Sequence, residues 1–270
     1  MKSGLHIASA FAFAAYAALS VNAQAYLTGL TKYGESKPSD TKTVLPYYNI
    51  PNMPVTDPDS EDLRCRTSDI TADITVVQAA AGDTLSAYYE GKTPITTYDT
   101  PQDINGPCLV YMAPYDQGGE DGWFKIFGMG YDTTSYKWCT DTIRHDGSFR
   151  FTIPSFVPAG KYYLRTEVIG LGQSEQTSWD DYTMGAQFFN NCGVVELTEG
   201  GDGMPDDLYS IPSNDIYSKN DKGLVGKFGG VLSSYKIPGP AQATDPGSGS
   251  GSGTTSSKKS SKSKSSSNED

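Results

Sequence analysis

The sequence predicts an all-β fold, an immunoglobulin-like or fibronectin III-like antiparallel β-sandwich with long loops. Short stretches rich in β-branched and aromatic residues recur along the chain, and several alternate apolar with polar side chains. Glycine, proline, aspartate and serine fill the gaps between these stretches. No stretch shows convincing helical periodicity. Many short strands with long irregular connections are typical of a sandwich with elaborated loops.

Seven strands are predicted in chain order. Residues 73–77 are rich in β-branched side chains and end at a turn-like segment, residues 81–83. Residues 84–89 alternate in part, and a short run that looks buried follows Gly106-Pro107. That run and the later predicted strands cover residues 108–112, 124–127, 149–153, 162–169 and 192–197.

Residues 1–25 have the composition of a secretory signal peptide. A short apolar stretch precedes the small residues of a cleavage site, Ala23-Gln24-Ala25. This stretch is too short and too rich in alanine for a convincing membrane span, and the alternative is a buried N-terminal helix. Cleavage after Ala25 would make Tyr26 the N-terminus, whereas cleavage after Ala23 would make it Gln24. The mature protein is therefore expected to be secreted and extracellular.

The rest of the chain divides into a domain and a tail. Residues 26–240 provide one domain's worth of chain, enough for a single sizeable core. Residues 241–270 are rich in glycine, serine and lysine. They are expected to form a disordered tail, because they have little apolar surface to offset the entropy of ordering.

The charge of the chain limits its partners. The formal net charge is −11, and the predicted domain is more acidic still because the signal and the tail are net positive. An acidic surface disfavours nucleic acid, whose phosphates need basic side chains. It is compatible with a neutral ligand such as a glycan. No stretch after the signal is apolar enough to be a transmembrane span, and a monomer is expected.

Four cysteines follow the signal: Cys65, Cys108, Cys139 and Cys192. An even number in an exported chain implies two disulfides, and from the count alone three pairings are open. No two of these cysteines have the close spacing of a zinc site.

Short motifs that resemble those of one protein family are spread in order over residues 26–240. They are residues 54–57 with 60 and 62–65, 81–84, 106–107 with 110–113, 122–126, 153–154 with 158–160, 163–165 with 167, 185–188 with 192, and 233–235 with 237–240. Together they resemble the fungal lytic polysaccharide monooxygenases of auxiliary activity family 9, formerly glycoside hydrolase family 61. That family folds as an immunoglobulin-like β-sandwich, which agrees with the predicted strands.

The resemblance implies a copper site built from a histidine brace, in which the N-terminal histidine and a second histidine bind the metal. Imidazole and amine nitrogens in a flat arrangement suit copper. In this sequence Tyr26 (or Gln24) occupies the N-terminal position, and Ile104 occupies the position of the second histidine, two residues before Gly106-Pro107. Neither brace position therefore carries a histidine.

Three further positions of the copper site follow from the same resemblance. Gly172 stands where the family has a histidine near the copper, and Phe189 stands where it has an axial tyrosine. Gln187 matches the family's glutamine. The one histidine after the signal is His145, which lies in a polar turn predicted at residues 144–147 and is expected at the surface. No metal or other cofactor is predicted, although the resembled family uses copper.

Paired carboxylates are the residues a glycosidase would need. The candidates are Glu61 with Asp62, Glu167, and Asp180 with Asp181. Adjacent acids in an acidic domain usually face solvent, and Glu167 is expected on a strand where Arg165 or another cation can pair with it. A glycosidase is therefore disfavoured.

The resemblance also implies one disulfide and one contact with substrate. Cys65 and Cys192 occupy positions that the family bridges, which leaves Cys108 and Cys139 as a second pair. Tyr235 corresponds to a region that can lie on the family's flat substrate-facing surface, where a tyrosine ring could stack on sugar. Its alternative role is to pack a loop onto the sandwich.

The sequence thus predicts a secreted fungal family 9-like protein that lacks the brace and has no copper-dependent oxidative activity, and whether it is an enzyme of another kind stays open. It would act at polysaccharide surfaces such as cellulose or another β-glucan, or at the cell wall. One alternative is an active monooxygenase that cleaves β-glucans through an unusual site. Another is a secreted interaction protein without glycan affinity. A fold alone does not decide between these functions.

Overall fold

The computed structural model describes residues 25–47, 53–67, 69–91, 104–172, 174, 185–218 and 220–246. The strands in this part of the chain are β1 (Tyr26–Lys32), β2 (Val77–Ala80), β3 (Thr84–Glu90), β4 (Cys108–Pro114), β5 (Phe124–Met129), β6 (Tyr131–Asp132), β7 (Lys137–Trp138), β8 (Ser148–Thr152), β9 (Gly160–Gly170) and β10 (Gln187–Glu199). The helices are α1 (Asp62–Cys65) and α2 (Cys139–Asp146), with a 3₁₀ turn at Tyr115–Gln117. The predicted signal, residues 1–25, lies outside the described residues except for Ala25, and so does the predicted tail beyond residue 246.

The strands form two main sheets and one small ribbon. One sheet has the order β1-β3-β8, the other has the order β2-β10-β9-β4-β5, and β6 pairs with β7. All pairings are antiparallel except that of β2 with β10. The predicted all-β sandwich is confirmed.

The five-stranded sheet is covered on both faces because its strands alternate between two cores. Leu164 and Val168 of β9 belong to the inner core, which also contains Leu27 of β1 and Phe149 of β8. Tyr163 of β9 points to the opposite face and belongs to a second apolar cluster, which we call the outer layer. The outer layer also contains Tyr111, Trp123, Ile169 and Tyr217. Burial on both faces explains why every residue from 162 to 169 is buried, including the polar Arg165, Thr166 and Glu167.

Six of the seven predicted strands correspond to β3, β4, β5, β8, β9 and β10. The prediction at residues 73–77 is wrong, since only Val77 joins a strand. Ile74 and Val76 instead pack against the outer layer from a loop. Their β-branched side chains are therefore explained by packing against the outer layer, and these residues do not form a strand of the sheet. β1 was not predicted, and its register shifts between Leu27 and Gly29.

Helix α2 is a second departure from the sequence prediction, which placed a polar turn at residues 144–147. Those residues instead form the last turn of α2 and its C-terminal cap. Asp141 Oδ2 accepts a hydrogen bond from the backbone N–H of Trp138 at 2.7 Å, which caps the first turn. Gly147 ends the helix at a φ of 70°, where glycine is favoured. Eight residues are too few for helical periodicity to be recognised.

Both disulfides are formed as expected. Cys65 of α1 bonds to Cys192 of β10 with a Cα–Cα distance of 5.1 Å, and Cys108 of β4 bonds to Cys139 of α2 at 5.7 Å. The first bridge attaches a loop of the outer layer to the sheet. The second attaches α2 to the segment that leads into β4. None of the helices in the described ranges is long and apolar enough to cross a membrane.

Candidate functional site

The candidate site lies at the end of the sandwich where β9 ends and β10 begins. Gly170 and Gln187 are register partners on these two strands. A Cβ atom built at Gly170 would lie 3.5 Å from Ile104 Cγ2 and 3.5 Å from Gln187 Cβ. The structure thus brings Ile104 and Gln187 together across Gly170. Ile104 is 1% exposed and belongs to the inner core.

The segment that carries Ile104 is bonded to the end of β9. The backbone N–H of Leu171 donates to the carbonyl of Asn105 at 2.9 Å, and that of Ile169 donates to the carbonyl of Pro107 at 3.0 Å. Between them, a Cβ atom at Gly106 would lie 1.7 Å from the carbonyl oxygen of Ile169. Only glycine allows this approach, so the backbone of the segment has one position against β9.

Helix α2 holds the same segment from the other side. The N–H of Gly106 donates to Thr140 Oγ1 at 3.2 Å, and Arg144 Nη2 donates to the carbonyl of Ile104 at 2.9 Å. The Cys108–Cys139 disulfide adds a covalent link between the end of this segment and the first residue of α2. Residues 104–108 are therefore fixed by hydrogen bonds to two elements and by a disulfide.

The remaining positions of the site offer few ligand atoms. Gly172 is exposed, and a Cβ atom there would meet no atom of the described residues within 4 Å. Phe189 is 1% exposed and lies in the inner core. Its ring has no oxygen, and the nearby hydroxyl of Tyr89 pairs with Thr166 Oγ1 at 2.9 Å instead. Gln187 is the one of these three that carries a polar side chain.

Tyr26 begins β1, opposite Glu90 at the end of β3. Its hydroxyl donates to Glu90 Oε2 at 3.0 Å, while Lys37 Nζ contacts Glu90 Oε1 at 2.8 Å. The Tyr26 ring meets the Tyr47 ring edge to face, with centroids 6.4 Å apart and planes at 82°. The first residue of the expected mature chain is thus anchored by its side chain.

Tyr47 and Arg66 are further parts of this region, at positions that the family resemblance did not assign to the site. Tyr47 Oη accepts from the N–H of Leu27 at 2.7 Å and donates to its carbonyl at 3.2 Å. Arg66 lies 5.6 Å from the centre of the Tyr47 ring and is 5% exposed. Burial raises the pKa of the Tyr47 hydroxyl and lowers the pKa of the Arg66 guanidinium. Arg66 directly follows the Asp62-Leu63-Arg64-Cys65 motif. This adjacency is the sequence signal that could have pointed to Arg66.

His145 lies apart from these residues on the last turn of α2. Its side chain is 89% exposed, and Nδ1 lies 2.6 Å from Asp146 Oδ1. Over the described ranges, no group of three or more histidine, cysteine, aspartate or glutamate side chains could hold a metal ion. His6 lies outside those ranges.

The five positions that the resemblance places around copper do not fit that metal. Copper in such a site needs imidazole and amine nitrogens. Ile104 and Phe189 carry hydrocarbon side chains, Gly172 carries none, and the Tyr26 hydroxyl is bonded to Glu90. No step through copper follows from these residues.

Glu167 serves an ion pair within the outer layer and does not face a cleft. It is 0% exposed, pairs with Arg165 and accepts a hydrogen bond from the Tyr217 hydroxyl. Arg165 Nε donates to the carbonyl of Leu63 at 2.9 Å, which ties the pair to α1. The expected pairing of Arg165 with Glu167 is confirmed.

Of the other candidate carboxylates, Glu61 and Asp62 lie within the described residues. Glu61 contacts Arg64 at 2.7 Å and is 76% exposed. Asp62 lies beside it in the chain, and its carbonyl accepts from Asn190 Nδ2 at 3.0 Å. Asp180 and Asp181 lie outside the described residues.

Tyr235 packs a loop onto the β6–β7 ribbon. Its ring lies 4.7 Å from the Trp138 ring, edge to face, and its hydroxyl donates to the carbonyl of Gly223 at 2.8 Å. Burial raises the pKa of this hydroxyl. Its role in substrate binding remains a prediction.

The two-sheet sandwich, its loop-covered outer layer and the ordered motifs define the fold class of the lytic polysaccharide monooxygenases. The model of Auxiliary Activity family 9 (formerly GH61) matches residues 15–247. The chain belongs to this family.

Relatives and solved structures agree with this placement. AA9 family lytic polysaccharide monooxygenase A of Aspergillus terreus is 34% identical over 193 residues, covering 70% of this chain and 51% of the relative. AA9 family lytic polysaccharide monooxygenase H of Malbranchea cinnamomea is 34% identical over 200 residues, covering 70% of this chain and 78% of the relative. The chain spans about half the length of several of these curated relatives. The structure of CvAA9A aligns with a TM-score of 0.67 at 27% identity, covering 82% of this chain and 96% of that chain.

Proposed function

We propose that this family 9 protein acts by binding at polysaccharide surfaces, without copper-dependent oxidative cleavage. The observation that supports this proposal most directly is Ile104. An aliphatic side chain that is 1% exposed stands where the family resemblance implies an imidazole ligand. A hydrocarbon cannot coordinate a metal, and its burial in the inner core stabilises the fold instead.

The surroundings of Ile104 support the same proposal. Its backbone is held by Arg144 and its side chain lies near Gly170 and Gln187. A ligand residue at this position would need a pocket open to solvent and to oxygen. Among the described residues, Ile104 is instead buried in the inner core, where its side chain serves stability.

Binding to polysaccharide is the part of the family's role that does not depend on the copper ligands. Neutral glycans need aromatic rings and hydrogen-bonding groups rather than basic side chains. The chain is acidic, with a net charge of −11, and rich in tyrosine, with 18. These properties favour a neutral polysaccharide such as cellulose or another β-glucan.

The decisive experiment measures copper and products on the same correctly processed preparation. With one equivalent of Cu(II), electron paramagnetic resonance should give no single type 2 species of the brace kind. With reductant and peroxide, cellulose and other β-glucans should yield no oxidised oligosaccharides. Oxidised products that are lost on adding a chelator would instead favour an active enzyme with an unusual site.

A matched variant shows that the assay can detect a restored site. The double variant Tyr26→His and Ile104→His returns an imidazole to both brace positions. It should bind Cu(II) more tightly than the wild type if the residues are aligned correctly. Sedimentation of the wild type with cellulose and with insoluble β-1,3-glucan then tests the binding part, and the absence of binding to both would favour an interaction protein without glycan affinity.

A further inference from the structure

A cavity of about 240 Å³ lies beside the first residues of β5, at the opposite end of this strand from the Cys108–Cys139 disulfide. Its walls are mainly apolar or aromatic, with two carboxylates, and include Phe124, Pro205, Asp206, Asp207, Tyr209 and Pro246. Its volume is below the roughly 300–1,000 Å³ of sites for drug-sized ligands. The cavity therefore suits one long side chain better than a whole small molecule.

Both sides of the cavity are held to the chain at the start of β5. The N–H of Tyr209 donates to the carbonyl of Trp123 at 2.9 Å, and the N–H of Trp123 donates to the carbonyl of Tyr209 at 3.0 Å. On the other side, the N–H of Ala243 donates to the carbonyl of Lys125 at 2.7 Å. Pro246 lines the cavity and is the last described residue, so the predicted tail continues from the cavity wall.

The carboxylates at the rim of the cavity carry negative charge that no ion pair within the described residues offsets. Asp206 and Asp207 are exposed, and neither belongs to such a pair. Burial raises the pKa of the Tyr209 hydroxyl, and Asp207 and Asp215 raise it further, as expected beside negative charge. Lys125 also lines the cavity, but it is 4% exposed and two backbone carbonyls accept hydrogen bonds from its ammonium.

We propose that the lysine-rich part of the protein's own tail docks at this cavity, with a lysine side chain against the apolar walls and its ammonium at Asp206 and Asp207. The four lysines concerned, called the tail lysines, are Lys258, Lys259, Lys262 and Lys264. No acidic residue separates them from one another. The proposal does not depend on whether the protein binds polysaccharide.

The position and the charge of the tail support this occupant. Lys258 follows Pro246 by 12 residues, and a chain of that length spans at most about 40 Å. Covalent attachment keeps the tail lysines near the cavity at an effective concentration in the millimolar range, so that weak contacts become populated. A lysine can bury its methylene groups on apolar surface while its ammonium stays at a carboxylate. The Tyr209 ring offers a face for the same cation.

The test compares full-length, isotope-labelled variants by nuclear magnetic resonance at about 20 mM salt. Replacing all four tail lysines with glutamine should shift the amides of Asp206, Asp207 and Tyr209, because the ammonium groups leave the cavity. Replacing all four with arginine is the matched control, since it keeps the charge and should leave these amides near their wild-type positions. At about 500 mM salt the difference between the wild type and the glutamine variant should disappear, because salt screens exposed charges.

The second arm changes the cavity and observes the tail. Asp206→Asn with Asp207→Asn should move the amides of the tail lysines to the positions that they have in the wild type at high salt. Asp59→Asn with Asp73→Asn is the control, because it removes two exposed carboxylates that do not line the cavity. Since all four aspartates are exposed, both double variants should keep the wild-type midpoint of thermal unfolding.

Dilution of the wild type separates a contact within one chain from a contact between copies. The amide positions should not depend on protein concentration, and a dependence would assign the tail to a second copy and overturn the proposal. It is also overturned if the glutamine variant leaves the three cavity amides unchanged, or if its shifts persist at high salt. Equal responses of the tail to the two double aspartate variants would overturn it as well.

Discussion

Arg144 Nη2 donates a hydrogen bond to the carbonyl oxygen of Ile104 at 2.9 Å. The same guanidinium pairs with Asp141, which also caps the first turn of α2. One arginine therefore couples the geometry of a helix to the segment that carries a residue at a brace position. Thr140 and the Cys108–Cys139 disulfide act on the same segment.

Loss of this arginine should loosen the segment more than it destabilises the domain. Arg144→Ala should lower the free energy of unfolding by about 1–2 kcal/mol, because two hydrogen-bonded acceptors lose a charged donor. Hydrogen exchange should become faster at Gly106 and Leu171 and stay unchanged in β8. Arg150→Ala is the control, since Arg150 is exposed and packs on Tyr33. Equal exchange in the two variants would contradict the coupling.

Removal of the Cys108–Cys139 disulfide should lower the free energy of unfolding more than the loss of Arg144 does. The paired variant Cys108→Ser and Cys139→Ser opens a loop that spans a sequence separation of 31. The chain-entropy estimate for such a loop is about 3–4 kcal/mol. Urea unfolding by tryptophan fluorescence measures it, with non-reducing peptide mapping of the wild type as the check on pairing. A change below about 1 kcal/mol would show that α2 already restrains the loop without the bridge.

The buried ion pair of the outer layer should be sensitive to loss of one partner. Glu167→Gln leaves the Arg165 guanidinium buried without its carboxylate, which should cost roughly 3–5 kcal/mol. The matched control is Glu61→Gln, which breaks the exposed pair with Arg64 and should cost at most about 1 kcal/mol. Thermal unfolding of both variants gives the comparison, and similar losses would be evidence against the structural role of Glu167.

A pH dependence should arise from Lys125, whose amine donates to the carbonyls of Pro238 at 2.6 Å and Pro240 at 2.9 Å. Burial lowers the pKa of Lys125 from 10.5 to about 8, although Glu167 and Asp221 act in the opposite direction. Between these values the unfolded chain binds more protons than the folded one. The free energy of unfolding should therefore rise with pH through this window, by up to about 3 kcal/mol.

Urea titrations from about pH 7 to about pH 9.5 measure this effect below the ionisation of most tyrosines. Lys125→Met should remove the rise, whereas Lys42→Met, at an exposed position, should keep it. If the free energy of unfolding of the wild type falls across the same pH window, the prediction is contradicted. The two carbonyl partners would then keep the Lys125 amine protonated in the folded state.

Much of the fold was predictable because it depends on patterns local in the chain. β9 could be recognised from its aromatic and β-branched residues. The pairing of Arg165 with Glu167 could be expected from their spacing on one face of that strand. Helix α2 was missed because its signals are a cap at Asp141 and a glycine at its end rather than a periodic stripe. Residues 73–76 were misassigned because a β-branched side chain packs equally well from a loop.

The site was less predictable because its contacts are distant in sequence. The family resemblance identified Ile104 and Gln187 as neighbours of the same site, and their convergence at Gly170 agrees with it. Tyr47 reaches Leu27 across 20 residues, and Arg144 reaches Ile104 across 40. Neither contact leaves a pattern in the local sequence, since each depends on how loops return to the sandwich.

The outer layer limits how this scaffold can be redesigned. Trp123, Tyr163 and Tyr217 are among the largest fully buried side chains, and Trp123 and Tyr217 lie outside the strands of the two main sheets. Segments that look like replaceable loops thus contribute buried side chains to the outer layer. Grafting a foreign loop through them would remove core volume, so redesign is best confined to exposed turns.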